Sequence, residues 1–106
     1  MRTPDPNKDA QLAGILLRLV YVNHHAQLQR TNSTLLHGVL QREGYSDFSG
    51  DEVLTQLQLL RDGNYVRFEQ RRDFNTNRLY LFNIEITREG HNLFNGINSD
   101  PAVDIR

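Results

Sequence analysis

The chain has no cysteine in its 106 residues, which excludes disulfides, thiolate chemistry and a cysteine-ligated zinc site. That absence fits a reducing compartment. Long apolar runs are also missing. Residues 15–17 and 80–82 are the clearest short ones, far below the roughly 20 residues that span a bilayer. Met1-Arg2-Thr3-Pro4-Asp5-Pro6 has no apolar segment of a signal peptide behind it, so a cytoplasmic location is expected. Neither sign of charge dominates: 12 basic against 13 acidic residues leave a formal net charge of −1. Internal repeats and low-complexity stretches are absent. So are a G-x-S-x-G elbow, a phosphate-cradling glycine loop and a dinucleotide fingerprint, and no enzyme activity or cofactor is expected. The four histidines form no convincing metal site. His24 and His25 diverge by about 100° on a helix, and His37 and His91 lack a partner at a ligand spacing.

The composition, 38% hydrophobic and 24% charged, is that of an ordinary globular protein, and the length fits one domain over residues 1–106. Residues 1–5 and 98–106 read as flexible or extended tails. Asp5-Pro6 resembles an N-cap followed by a proline at the first helical position. Behind it Leu12, Ile15, Leu16, Leu19 and Val22 recur at helical spacing and predict a first helix to about His25. Gly14 either weakens that helix or permits close packing. Gln27-Leu28-Gln29 alternates as a brief edge strand would.

A second helix, capped by Asn32 or Ser33, is predicted to bury Leu35, Leu36, Val39 and Leu40 and to end at Gly44. Ser49-Gly50-Asp51-Glu52 is a capping box, in which the serine and the glutamate three residues on satisfy each other's backbone N–H. The third helix behind it turns Val53, Leu57 and Leu60 inward and stops at Gly63. The period then changes from 3.6 to 2. Residues 64–70 read as a strand, 71–78 as a polar loop, and 79–86 as a second strand with Tyr80, Phe82, Ile84 and Ile86 on one face. Thr87 caps a short closing helix through His91, Leu93 and Phe94. The expected fold is α+β: three helices, a two-stranded hairpin and a short C-terminal helix, with an unrelated α+β arrangement as the alternative.

Two passages resemble a known group. Val53-Leu54-Thr55-Gln56-Leu57-Gln58-Leu59-Leu60-Arg61-Asp62-Gly63-Asn64-Tyr65-Val66 is similar to the passage from helix into wing of winged helix-turn-helix regulators of the MarR, PadR and ArsR kind. Ile86-Thr87-Arg88-Glu89-Gly90 resembles their exit into a closing helix. Size and order also resemble the short ArsR-like proteins of Mu-like prophages. The resemblance covers residues 16–96 and marks fold better than activity. It implies a winged helix, a DNA-binding transcriptional regulator that occupies a promoter, and double-stranded DNA as partner. The alternative is a winged helix used for protein–protein contact alone.

In a helix-turn-helix the third helix presents its outer side chains to base edges. Here that face would carry Asp51, Thr55, Gln58, Leu59 and Asp62, with Gln56 at its margin. Gln pairs with adenine, and Thr bonds a base or touches a thymine methyl. The plainer reading is solvated polar residues. Asp51 and Glu52 would oppose phosphates, although the helix N-terminus is reason enough for them. Residues 43–52 hold four acids and no Lys or Arg. Residues 61–78 hold Arg61, Arg67, Arg71, Arg72 and Arg78 against Asp62, Glu69 and Asp73. Arg61, Arg71, Arg72 and Arg78 are therefore candidate phosphate contacts, or simply the charge that protects a hairpin edge. Phe74 is expected to tuck onto the hairpin rather than face a partner. Phe94, Ile97, Val103 and Ile105, with the first helix, suggest a homodimer surface.

Overall fold

The computed structural model describes residues 6–25 and 31–105. In chain order the elements are α1 (Pro6–His25), α2 (Ser33–Arg42), α3 (Gly50–Asp62), β1 (Val66–Arg72), β2 (Leu79–Ile86) and α4 (Arg88–Phe94). Among the described residues the architecture is α+β, four helices with one two-stranded antiparallel sheet, the closing segment being a fourth helix in its own right. The edge strand expected over Gln27-Leu28-Gln29 lies outside the described residues. Nearby, Thr31 forms a single antiparallel bridge with Ile84.

Local chemistry sets the helix ends. Asn32, not Ser33, caps α2, its Oδ1 accepting from the Leu35 N–H at 2.8 Å. The capping box at α3 is complete: Ser49 Oγ accepts from the Glu52 amide at 3.2 Å, and the Glu52 carboxylate accepts from the Ser49 amide at 3.4 Å. Thr87 Oγ1 accepts from Gly90 N–H at 3.1 Å to start α4. After α3 the reversal falls on Asn64, at φ +66°, while Gly63 stays at −80°. Asn tolerates that left-handed conformation better than most residues.

The core collects Leu12, Leu16, Leu17 and Val20 of α1, Leu36 and Leu40 of α2, Val53, Leu57 and Leu60 of α3, and Val66, Leu81, Ile84 and Ile86 of the hairpin. The buried stripe of α1 is thus rotated from the expected one. Ile15 and Leu19 flank it half-buried, and Val22 is exposed. Leu35 is also exposed, at 55%. It lies about 100° around α2 from Leu36, off the side that Ser33, Leu36 and Leu40 turn inward.

The facing of β2 also differs from the expected one. Leu81 takes the inward position with Ile84 and Ile86, while Tyr80 and Phe82 sit half-buried outside, stacked with ring centroids 5.8 Å apart. The cause is a bulge. Arg67 pairs with Glu85 and Glu69 with Phe82, so Asn83 and Ile84 together oppose Phe68, and Asn83 takes φ +54°. The extra residue exchanges the two faces beyond it.

Residues 98–105 contain no helix or strand, yet they pack on α1 of the same chain. The Asp104 amide donates to the Ala10 carbonyl at 2.9 Å, and Val103 is buried. A Cβ on Gly14 would lie 1.8 Å from the Asp104 carbonyl oxygen, so of the two readings of that glycine, close packing is the one observed. Phe94 stacks on Tyr21 at 4.0 Å between centroids, and Ile105 packs against the core. Three of the four residues that suggested a dimer surface are therefore covered within the chain, and Ile97 alone of them is exposed.

The Tyr65 hydroxyl fastens the same segment, donating to Asp100 Oδ2 at 2.6 Å. That bond, helped by burial and by the charge of Asp100, pushes the tyrosine from 10.0 up to about 12. It also lowers the Asp100 carboxyl below its ordinary value, with the Ala102 amide adding to the effect. Tyr65→Phe is expected to cost about 1.5 kcal/mol near neutral pH, the lower end of the range for a hydrogen bond to a charged acceptor, because the pair is only half-buried. The raised tyrosine stabilises fully below its ordinary value and loses that contribution as pH climbs through its folded one. The lowered aspartate stabilises above its ordinary value and loses that as pH falls. Denaturant unfolding across pH should show the gap between variant and wild type closing at both extremes. A gap of constant size would remove the bond from the account.

Candidate functional site

Two bonds tie α2 to the hairpin. Ser33 Oγ, buried at the first position of α2, accepts from the Leu81 amide at 3.3 Å. The Thr31 carbonyl accepts from the Ile84 amide at 3.0 Å. They hold the start of α2 against β2 and so bring the far half of the hairpin over the first turns of α2 and α3. Between them runs an open groove of about 1330 Å³, lined by Thr34 and His37 of α2, Ser49, Gly50, Asp51 and Leu54 around the start of α3, and residues 71–74 and 76–80 of the hairpin.

The groove gathers three of the expected arginines, Arg71, Arg72 and Arg78, all exposed. Strand alternation separates the first two. Arg71 pairs with Tyr80 on the outer face, its guanidinium 5.7 Å from the ring centroids of both Tyr80 and Phe82. Arg72 pairs with Leu79 and donates to the Asn77 carbonyl at 2.9 Å. Among the described residues Arg78 has no side-chain partner. The opposing acids are Asp51 and Asp73. Asp73 is already engaged: the Asn75 amide and the Thr76 hydroxyl hold its carboxyl below the usual range, the amide contributing most. Asp51 occupies the first turn of α3, where the helix dipole favours it. First-turn N–H groups of α2 and α3 have no intrahelical carbonyl to meet. Three guanidinium groups and two helix starts around one open groove suit a phosphate-bearing ligand.

The other expected residues lie elsewhere. Thr55 is exposed, with its hydroxyl donating to the Asp51 carbonyl at 2.9 Å, and Gln58 is half-buried beside it in the helical projection. Leu59 is 55% exposed on the same side of α3. Arg61 is spent on the base of the hairpin, 4.8 Å over the Phe68 ring and 3.4 Å from Gln70 Oε1. Gln56 is not on the outer face at all: it is 7% exposed. The helical projection explains this, since Gln56 lies only about 40° from Leu60 and therefore inside the core-facing arc. The reading of Phe74 is reversed as well, because its ring is fully exposed.

The convergence of Thr34, Ser49 and Gly50 on the arginine-bearing end of the hairpin was missed from sequence, although the caps at Asn32 and Ser49 were visible locally. Among the described residues, no group of three His, Asp or Glu is placed to hold a metal ion, and no helix is long and apolar enough to cross a membrane. The chain matches no known family model and no curated protein sequence.

The contrast between the two glutamines is measurable. Gln56→Glu should destabilise the protein by about 1–3 kcal/mol, because it places a charge against the core. Gln58→Glu should change stability by no more than about 0.5 kcal/mol, as surface substitutions do. Chemical denaturation of both variants checks the assignment, and equal losses would contradict it.

Proposed function

We propose that the chain is a winged helix-turn-helix protein that binds double-stranded DNA and regulates transcription by occupying a promoter. The order α1-α2-α3-β1-β2-α4 supports the winged-helix reading, with the hairpin as wing and the Thr31–Ile84 bridge where a third strand would join it. The observation that carries the DNA reading is the exposure of Arg71, Arg72 and Arg78 around one groove with the first turns of α2 and α3. Phosphates would be held there, while Thr55 and Gln58 on α3 meet base edges. Gln56 leaves the set because it is buried, and Arg61 acts only at the margin because Phe68 and Gln70 engage it. A dimer formed through the C-terminal segment would rest on Ile97.

A second reading, a protein-contact module without DNA affinity, draws on the outer face of α3. There Leu59 is exposed between the acids Asp51 and Asp62 at the two ends of the helix. Salt separates the two readings. Wild type should bind random duplex DNA with an affinity that falls steeply as salt rises. Replacing Arg71 and Arg72 by Ala should reduce the slope of log affinity against log salt by about 0.9 for each phosphate that is no longer neutralised. Gln58→Ala should alter sequence preference and leave the slope nearly unchanged. Absence of duplex binding by wild type at low salt would transfer the assignment to the protein-contact reading.

A further inference from the structure

We propose that Phe74 is a wedge that enters the minor groove of duplex DNA and parts a base step, an inference that rests on the DNA-binding reading above. The ring is fully exposed at the hairpin tip and touches no other ring among the described residues. The turn does not require it. The Asn75 amide donates to Asp73 Oδ1 at 2.9 Å, so residue 74 is the middle of an Asx turn, a position that other residues fill equally well. Exposure of one ring is ordinary for a protein surface; what sets Phe74 apart is that it stands at a bonded tip beside Arg71, Arg72 and Arg78.

The tip is stiff enough to present that ring. The Asp73 amide donates to the Arg78 carbonyl at 2.9 Å and the Asn77 amide to the Asp73 carbonyl at 2.8 Å. Asn77 itself turns through φ +56°, and Arg72 clamps its carbonyl. A wedge must be ordered before it binds, since ordering a loose loop would offset the energy gained by insertion.

Its surroundings point to a polyanion with stacked rings inside. Arg71, Arg72 and Arg78 flank the tip, and Asn75, Thr76 and Asn77 beside Phe74 are hydrogen-bonding groups. Basic and amide side chains next to one inserted apolar residue form the set that opens base steps from the minor groove. A lipid surface fits less well. One ring among Asp73, Asn75, Thr76 and Asn77 offers little apolar area to insert, and Asp73 is held ionised. A protein pocket would accept the ring but makes no use of the positive charge that Arg71, Arg72 and Arg78 expose beside it.

The test uses the full chain and three duplexes of one length: A·T-rich, G·C-rich, and the G·C-rich sequence with inosine replacing guanine. Inosine removes the minor-groove amino group and leaves the major-groove edge intact. Each carries 2-aminopurine beside a flexible step and dyes at its ends. Wild type should prefer the A·T and inosine duplexes, raise 2-aminopurine fluorescence and shorten the end-to-end distance. Phe74→Ala should abolish the fluorescence rise and the bend and weaken binding about ten-fold, the size of one base–aromatic stack, while the salt slope stays unchanged. Phe74→Leu should retain part of each signal. Bending and fluorescence unaltered in Phe74→Ala, or equal binding of the guanine and inosine duplexes, would overturn the wedge while leaving DNA binding in place. Loss of binding to anionic lipid vesicles in Phe74→Ala, with duplex binding unaffected, would overturn it in favour of a membrane contact. No duplex binding by wild type would remove the DNA reading itself, and the wedge with it.

Discussion

Everything that faces the groove depends on one extra residue in β2. Leu81 and Ile84 are three apart, an odd spacing that a regular strand turns to opposite faces. Both are nevertheless buried, and both donate their amides toward the segment from Thr31 to Ser33. The bulge at Asn83 makes this possible by resetting the alternation between them. With Leu81 inward, Tyr80 and Phe82 must lie outward, Arg71 stacks over them, and Arg72 comes to the helix-facing side. Two hydrogen bonds to β2 then fix where the start of α2 sits beneath the arginine-bearing end of the hairpin.

Helix α1 supplies the counterpart on the other side. It packs on α3, β2 and α4, and the C-terminal segment closes over it at Gly14. The Tyr65–Asp100 bond and the Phe94–Tyr21 stack hold that end shut. The protein therefore has one end whose apolar residues are mostly satisfied internally and another, the hairpin tip, whose arginines and Phe74 are left to solvent.

What was legible in the sequence was what short-range chemistry decides. The Ser49 capping box, the Thr87 cap, the positive-φ Gly44 and the change of period after α3 each involve groups within about five residues, and each is present. The bounds of β2 follow from the same kind of signal. Facing was harder. Val22 and Leu35 satisfy helical spacing, yet the neighbouring elements cover a different arc, and Gln56 is drawn inward with Leu60. A bulge at Asn83 has no marker beyond an asparagine in a strand. The groove was the least legible feature, because it joins the starts of two helices to a loop some 20 to 40 residues further along. Phe94, Val103 and Ile105 looked like an interface for the same reason: periodicity shows that a residue is apolar, not whose surface covers it.

The most direct measurement of the central claim is a backbone amide NMR titration of the full chain with duplex DNA at low salt. Shift changes are expected at Thr34, Gly50 and Asp51 and along residues 71–78, with the amides of Gly14, Asp104 and α4 undisturbed. Changes confined to α1, α4 and the C-terminal segment, with the arginine loop unaffected, would contradict it.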